Sequence, residues 1–229
     1  MLEVRYYKRM GKRGPKPGFN PKTRISEKWS PNLAYAVGLL ATDGCLATKS
    51  TLIDLTSKDR EQLQNFLKCV GVNFRITKKK GSNGKEYLRV QFKSVLFYDF
   101  LLRIGLTPAK SKTLGAIKIP KKFFWDLLRG LYDGDGSSYS YWDPRWKSSY
   151  MFYTSFISAS KAHIDWIRNE IHKRLGVSGH VTQDGTHTTY QLKYAKEDSL
   201  KLLRKMYHSK RVISLSRKRL KIERILSTV

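Results

Sequence analysis

Two aspartates stand at matching places in the chain and could act together on a metal ion or a phosphate. Asp43 and Asp135 each follow an apolar stretch and precede a glycine, Gly44 or Gly136. The C-terminus of a helix carries a partial negative charge, so a carboxylate there is unfavourable. If the two stretches form paired helices, the two acids meet at one edge, and such close like charges either share a proton or bind cations. The pair therefore predicts a divalent-metal site, whereas one Asp-Gly alone is typical of an ordinary helix end and turn.

The residues before these aspartates indicate an internal duplication. The two stretches align without a gap, so that Gly38 corresponds to Gly130 and Thr42 to Gly134. Each predicted helix thus carries two small residues four positions apart on one face. Small residues at this spacing allow two helix backbones to approach closely. We therefore expect two halves that pack motif against motif.

The two stretches, AVGLLATDG and LRGLYDGDG, resemble the signature of the LAGLIDADG homing endonucleases, in the single-chain form with two signatures per polypeptide. The first copy departs from the family pattern at its opening residue and has Ala41 where the second has Asp133. This difference argues against a catalytic role for Asp133. The metal-site residues that the resemblance implies are Asp43, Asp135, Gly44 and Gly136.

The resemblance also implies a reaction and a cofactor. Such an enzyme hydrolyses one phosphodiester on each strand of double-stranded DNA, across the minor groove, at a long pseudo-palindromic or asymmetric site. The implied cofactor is Mg²⁺, as two or three divalent ions, with Mn²⁺ able to replace it and Ca²⁺ able to bind without cleavage. Carboxylate ligands, retained waters and phosphate oxygens suit magnesium. The family further suggests an intron-encoded protein that acts as a monomer.

A cation beside the reacting phosphate would complete such a site. A basic run follows the last predicted helix of the first half, and another follows the corresponding helix of the second. Placing Lys112 on Lys218 also places Leu114 on Leu220. Because family members carry an active-site lysine in this region, Lys112 and Lys218 are predicted to be catalytic. Each could instead belong to a phosphate-clamping or solvated basic cluster.

Hydrophobic periodicity and turn residues predict the order αββαββα in each half, and hence an α+β fold. The resemblance adds that the two antiparallel sheets form a saddle with the paired motif helices at its centre. The predicted divisions are a basic N-terminal arm over 1–30, a first repeat over 31–106, a linker over 107–120 and a second repeat over 121–229.

Basic and hydroxyl-bearing side chains alternate with apolar ones in the predicted strands. A twisted antiparallel face of this kind can enter the major groove and hydrogen-bond to base edges, although ordinary strands with one solvated face look similar. The predicted DNA contacts of the first half are Arg75, Thr77, Lys79, Arg89, Gln91 and Lys93. Those of the second half are Arg145, Lys147, Thr188, Tyr190 and Lys193. Those of the arm, which could follow a minor groove or form a solvated tail, are Lys12, Arg13 and Lys16.

The net charge of +27, from 45 Lys and Arg against 18 Asp and Glu, predicts a polyanionic partner, for which nucleic acid is the natural candidate. An anionic membrane is disfavoured, because the longest near-apolar run, 33–41, is far shorter than the roughly 20 residues of a spanning helix. The first ten residues lack the apolar core of a signal peptide. We therefore expect an intracellular protein that is not secreted, in the cytoplasm of a prokaryote or inside an organelle.

Two classes of function remain after these observations. The leading one is a site-specific double-strand DNA endonuclease. The alternative is a nucleic-acid-binding protein that does not cleave, such as an intron-RNA maturase or a regulator on the same scaffold. The presence of both aspartates favours cleavage, since a protein that only binds gains nothing from paired carboxylates facing phosphate.

Overall fold

The computed structural model describes residues 25–81, 84–146, 148–185 and 188–228. Most of the predicted arm, including Lys12, Arg13 and Lys16, therefore lies outside the described residues, as does Lys147. Among the described residues, no helix is long and apolar enough to cross a membrane.

The elements follow the predicted order. Those of the first half are α1 (Pro31–Thr42), β1 (Gly44–Leu46), β2 (Leu52–Ser57), α2 (Arg60–Val70), β3 (Ile76–Lys80), β4 (Glu86–Lys93) and α3 (Val95–Ile104). Short 3-10 helices at Lys110–Lys112 and Lys121–Phe123 lie between the halves. Those of the second half are α4 (Phe124–Asp135), β5 (Ser137–Trp142), β6 (Tyr150–Ser158), α5 (Lys161–Leu175), β7 (His180–Gln183), β8 (Tyr190–Tyr194), α6 (Lys196–Met206) and α7 (Ser216–Ser227). The α+β prediction of two αββαββα repeats is confirmed, with α7 added at the end of the second.

Each half forms one four-stranded antiparallel sheet. The strand orders, β1-β2-β4-β3 and β5-β6-β8-β7, are equivalent in the two halves. Leu55 lies opposite Val90 in the first sheet, and Phe156 lies opposite Leu192 in the second. All four are buried. Because successive side chains point to opposite faces, each sheet packs one apolar face on the core and leaves a second face for other contacts.

The motif helices α1 and α4 pack against each other at the centre of the molecule. Helix α1 begins where Ser30 accepts a hydrogen bond from the backbone N–H of Leu33, next to a proline in the first turn. Its middle is buried all round, as expected for a central helix. A Cβ on Gly130 would lie 3.0 Å from the Gly38 Cα and would collide with the carbonyl oxygen of Tyr35. The close approach predicted from the small residues is confirmed.

The glycines after the two aspartates are required by close packing of the chain on the helix that precedes them. Gly136 has φ −73° and ψ 158°, and neither it nor Gly44 adopts the left-handed conformation of a typical helix-terminating glycine. A Cβ on Gly44 would lie 2.7 Å from the Leu40 Cα, and one on Gly136 would lie 2.6 Å from the Tyr132 Cα. Glycine is needed because the chain passes directly from helix to strand and folds back over the last helical turn.

Candidate active site at the paired helix ends

Asp43 is held at the end of α1 by a short chain of side-chain hydrogen bonds. Its Oδ2 accepts a hydrogen bond of 2.6 Å from Nε2 of Gln62, a buried residue of α2. The Gln62 amide oxygen in turn accepts one of 2.8 Å from the hydroxyl of Ser57. Burial, and then the negative charge of Asp135, raise the pKa of the Asp43 carboxyl to about 6. The second cause is the repulsion between like charges at the ends of the two packed helices.

Asp135 is the last residue of α4 and is exposed. The protein atoms packed around its carboxyl group nevertheless raise its pKa, while the positive charges of Lys218 and Lys110 lower it. The same two lysines also act on Asp43. The helix ends therefore bring together two carboxylates and two ammonium groups, one pair from each half.

Both lysines are buried and bind the backbone at the helix ends. The Lys110 ammonium donates to the carbonyl oxygen of Gly44. The Lys218 ammonium donates to three carbonyl oxygens, those of Tyr132, Gly134 and Gly136, at 2.6, 2.9 and 2.7 Å. A cation is favourable at a helix C-terminus, where carbonyl groups lack helical partners. Burial is the main reason that the pKa values of both lysines are lowered, and that of Lys218 falls to about 8.

The lysine that corresponds to Lys218 is Lys110, within the predicted linker 107–120. Each of the two donates to the glycine that follows its own motif aspartate. Lys112, which the sequence alignment placed on Lys218, is exposed. The structure thus brings Lys218 to the site as expected and brings Lys110 in the place predicted for Lys112.

Burial explains why the sequence alignment slipped by two positions. It paired Leu114 with Leu220, but Leu114 is 4% exposed and Leu220 is 54% exposed. Pairing Lys110 with Lys218 instead places Leu114 on Ile222, which is 1% exposed. The signal that could have found this register is the match between buried apolar positions, which the identity of two leucines obscured.

Asp133 lies away from the site although only one residue separates it from Asp135. It is fully buried, and its carboxylate accepts hydrogen bonds from the Tyr35 hydroxyl, the Tyr207 hydroxyl and the Leu215 backbone N–H, at 2.8, 2.9 and 2.7 Å. These donors come from α1 and from the segment between α6 and α7. Its contacts are those of a structural acid, in keeping with Ala41 at the matching position.

The surroundings of the two aspartates differ at one equivalent position, the third residue of α2 and of α5. In the first half this is Gln62, and in the second it is His163. His163 is buried, and its Nδ1 lies 2.8 Å from the carbonyl oxygen of Gly115, so that Nδ1 carries the hydrogen. Burial lowers the pKa of His163 to about 4, which leaves the ring neutral at pH 7. His163 and Asp135 line the same cavity of about 30 Å³, a volume that accommodates a water molecule.

Comparisons with known proteins bear on the fold. No family model matches the chain. A component of the A-type ATP synthase of Methanopyrus kandleri is 31% identical over 104 residues, which make up 44% of this chain and 10% of that protein. Because the chain spans only about a tenth of that relative, the match carries no functional conclusion.

Solved structures resemble the chain over most of its length. The homing endonuclease I-WcaI bound to its DNA recognition sequence has a TM-score of 0.58 at 11% identity, covering 90% of this chain and 95% of that one. I-DmoI in complex with DNA and Mn has a TM-score of 0.50 at 20% identity, covering 78% and 97%. The N-terminal LAGLIDADG domain of DUF199/WhiA has a TM-score of 0.52 at 17% identity, covering 78% and 82%.

The chain has the two-motif LAGLIDADG fold. Two of these neighbours are named as endonucleases or shown with DNA, and the third is named only as a LAGLIDADG domain. The fold alone therefore does not decide whether the chain cleaves DNA.

The donor atoms at the centre of this LAGLIDADG fold suit a hard divalent cation. No cluster of three or more His, Cys, Asp and Glu residues is present in the part of the chain that the structure describes. The site instead offers two carboxylates and the carbonyl oxygens of Gly44 and Gly136, which already accept from lysines. Magnesium is usually held by one or two carboxylates together with waters and substrate phosphates. The residues present fit that mode of binding.

The first sheet of the LAGLIDADG fold carries most of its predicted DNA contacts on one face. Thr77 lies opposite Arg89, and Gln91 lies opposite Asp54, so their side chains share the face away from the core. Alternation along the strands adds Lys79 and Lys93 to this face. Arg75 lies just before β3 and is exposed.

The second sheet departs further from prediction. Lys193 lies on the face away from the core, but Tyr190 is on the opposite face and packs against the core. Arg145 donates two hydrogen bonds from its guanidinium to Asp143, at 3.1 and 2.9 Å. Thr188 is exposed before β8 begins. Tyr190 and Lys193 are three positions apart in one strand, so alternation places their side chains on opposite faces. The sequence alone could therefore have shown that both do not contact DNA from the same face.

Proposed function

We propose that the chain is a site-specific double-strand DNA endonuclease of the homing type, which hydrolyses one phosphodiester on each strand across the minor groove. The observation that carries this proposal is the meeting of Asp43 and Asp135 at the paired helix ends, where burial and the negative charge of Asp135 raise the pKa of Asp43 even though Lys110 and Lys218 lie beside both carboxylates. The proposal includes Mg²⁺ as the cofactor, Mn²⁺ as a substitute, and a monomer that acts inside the cell on a long DNA site.

The site residues divide the work between them. When bound, a divalent ion supplies activation of water and stabilisation of the leaving 3′ oxygen. Asp43 and Asp135 hold that ion, and the hydrogen bond from Gln62 fixes the orientation of the Asp43 carboxylate. Lys110 and Lys218 keep positive charge beside the carboxylates, in a partly buried setting where charges act more strongly than in water.

A second candidate, a nucleic-acid-binding protein that does not cleave, is favoured by one observation. Each hydrogen of the Lys218 ammonium has a backbone carbonyl acceptor, so this group caps a helix and has no hydrogen left for a phosphate. A regulator or an intron-RNA maturase would need that cap for its fold and would need no free ammonium group.

The deciding experiment tests cleavage and binding separately. Duplexes that the protein binds are selected from a randomised library in Ca²⁺, and the selected pool is then incubated in Mg²⁺ or Mn²⁺. We expect Asp43→Asn and Asp135→Asn to lose cleavage by at least about a hundredfold and to keep binding in Ca²⁺, because each removes a metal-binding charge with little change of shape. Asp99→Asn, an exposed acid of α3, is the matched control and should cleave normally.

Two outcomes count against the endonuclease. If the unaltered protein binds the selected duplexes but cuts neither strand in either metal, the non-cleaving candidate replaces it. If both aspartate variants cleave at the normal rate, the paired carboxylates are only part of the fold.

A further inference from the structure

The faces of the two sheets that lie away from the core carry different chemistry. The face of the first sheet is polar and centred on Asp54. Its carboxylate lies 3.5 Å from Lys79 Nζ, 3.5 Å from an Arg89 guanidinium nitrogen and 3.2 Å from Gln91 Nε2. The Asp54 side chain is only 12% exposed. This face therefore offers several hydrogen-bond donors around one built-in acceptor.

The face of the second sheet is aromatic over β5 and β6, whereas β7 and β8 bring the polar side chains of His180, Thr182, Gln191 and Lys193 to it. The rings of Tyr139 and Tyr141 stack on Tyr153 from neighbouring positions, with centroids 5.1 and 6.3 Å apart. Lys193 Nζ lies 4.9 Å from the centre of the Tyr153 ring and donates to the Tyr139 hydroxyl at 3.1 Å. Ile157 shares this face, because alternation along β6 sets it on the same side as Tyr153.

Exposed apolar surface concentrates on this second sheet. Nine large hydrophobic residues of the described chain are exposed, and five of them belong to β5, β6 and the loop between them. They are Tyr139, Tyr141, Trp142, Trp146 and Ile157. Stacking between side chains of neighbouring strands stabilises a sheet, and this explains why Tyr139 pairs with Tyr153. It does not explain why the tyrosine rings on this face are left exposed to solvent. Of these five, Tyr139, Tyr141 and Ile157 lie on the face away from the core, whereas Trp142 lies on the other side of β5 and Trp146 lies in the loop. Exposed apolar side chains that gather on one face often mark a contact with a partner.

Base edges in the major groove differ in the same two ways. Guanine and adenine present acceptors to Arg and Gln, and cytosine presents an amino group to a carboxylate such as Asp54. Thymine presents a C5-methyl group, which makes apolar contacts with protein side chains. Resting on the proposed function, in which one duplex lies across both sheets, we propose that the two halves of the DNA target are read by different chemistry. The first sheet reads polar base edges, including a cytosine amino group at Asp54, and the aromatic part of the second sheet, on β5 and β6, reads thymine methyl groups, so the target is asymmetric.

Asp54 gives this proposal a second consequence. A carboxylate on a face that meets DNA repels phosphates and occupies Lys79, Arg89 and Gln91, and so it lowers affinity for DNA of any sequence. The same carboxylate increases discrimination between bases. It accepts a hydrogen bond from a base amino group, but it has no hydrogen-bond donor opposite it when the base edge presents only acceptors. Asp54→Asn should therefore bind random duplexes more tightly and should select less strictly at one base pair of the first half-site.

The test uses binding in Ca²⁺, without cleavage. The full chain is used to select duplexes from a randomised library, and each thymine of the selected sequence is then replaced singly by dU, which lacks only the methyl group. Each effective replacement should weaken binding by roughly three- to fivefold, the worth of one buried methyl group, and these positions should cluster in one half of the target. The double variant Tyr139→Ser, Tyr141→Ser should abolish sensitivity to dU and leave selection in the other half unchanged.

The two sets of variants serve as controls for each other. Asp54→Asn should keep the full sensitivity to dU while it relaxes selection in the opposite half. A palindromic selected sequence, or equal dU effects in both halves, would overturn the proposal even if the tyrosine variant failed to fold, because the dU duplexes leave the protein unaltered. Failure of the proposed function is distinct: no duplex would be selected, or selected duplexes would remain uncut by the unaltered protein in Mg²⁺.

Discussion

Asp133 and Asp135 lie in one helical turn, but their carboxylates point to different environments and have different roles. The side chain of Asp133 points into the core, where three donors surround it. That of Asp135 lies at the exposed end of the same helix, beside Asp43. Burial raises both pKa values, but only Asp135 is placed where a metal ion or a phosphate can reach it.

Asp133→Asn should act on stability rather than on catalysis. An amide offers one acceptor oxygen, and its NH₂ group would face at least one of the three donors, Tyr35, Tyr207 and Leu215, leaving buried groups unpaired. We expect a loss of about 2 to 4 kcal/mol in the free energy of unfolding, measured by urea denaturation. Cleavage per folded molecule should be nearly normal. A variant that is fully stable yet inactive would show that Asp133 takes part in the chemistry.

The metal-free protein should gain stability from Asp43→Asn, and the gain should depend on pH. The folded-state pKa of Asp43 is about 6 against an ordinary value of 3.8, so the folded state binds the proton more tightly. The contribution of the Asp43 carboxyl to the free energy of unfolding is therefore fully present below about pH 4 and is lost as the pH rises through 6. The variant should be more stable than the parent by on the order of 2 kcal/mol at pH 7 and by almost nothing at pH 4.

Thermal unfolding in EDTA at both pH values measures this difference. Asp99→Asn again serves as the control, because it changes the net charge by the same amount as Asp43→Asn but at an exposed position on another helix. A gain that is equal at pH 4 and pH 7, or a gain shared by the control, would contradict the raised pKa of Asp43.

At the scale of the elements, the helix pair α1–α4 depends on the absence of side chains at its crossing. In Gly130→Ala the new methyl group would meet backbone, namely the Tyr35 carbonyl oxygen, and backbone cannot move aside cheaply. We expect at least about 2 to 3 kcal/mol of destabilisation, at the upper end of overpacking changes, and a loss of cleavage as the aspartates separate. Gly185→Ala, where a Cβ meets nothing within 4 Å, is the control for urea denaturation. Normal stability in Gly130→Ala would mean that the helices can shift apart.

The elements were largely predictable, because hydrophobic periodicity and caps act locally. The Ser30–Pro31 start of α1 and the alternating strands are examples. The site was predictable only in part. Gln62 and His163 are polar residues that are buried by distant parts of the chain, and nothing in their local sequence distinguishes them from solvated ones. Lys110 was missed for a related reason, since its burial depends on how the segment between the halves folds back over Gly44.

At the scale of the whole molecule, the net charge of +27 must be matched by a partner. Repulsion among this many positive charges opposes a compact state. The acidic residues of the described chain neutralise it only locally, as Asp54 and Asp143 do in their ion pairs with neighbouring arginines. The site at the helix ends contributes little to affinity for DNA, because its lysines are buried and bound to backbone carbonyls. If DNA is the partner, affinity must therefore come from exposed Lys and Arg on the sheets and helices, together with the basic residues that the sequence places in 1–24.

The affinity for DNA should fall as the salt concentration rises, because salt competes with the protein for phosphates. If the protein neutralises Z phosphates, the logarithm of the binding constant should fall with the logarithm of salt concentration at a slope of about −0.9Z. Residues 1–24 hold eight Lys and Arg against one Glu, so their removal should make the slope shallower by about 0.9 for each phosphate that the shortened chain no longer neutralises. The deletion should stop at 24, because Ile25 is 3% exposed and belongs to the core. Fluorescence anisotropy with a selected duplex in Ca²⁺, from about 50 to 300 mM salt, measures both slopes. A slope near zero for the full chain would contradict nucleic acid as the partner, and equal slopes for the two chains would show that the predicted arm does not touch phosphate.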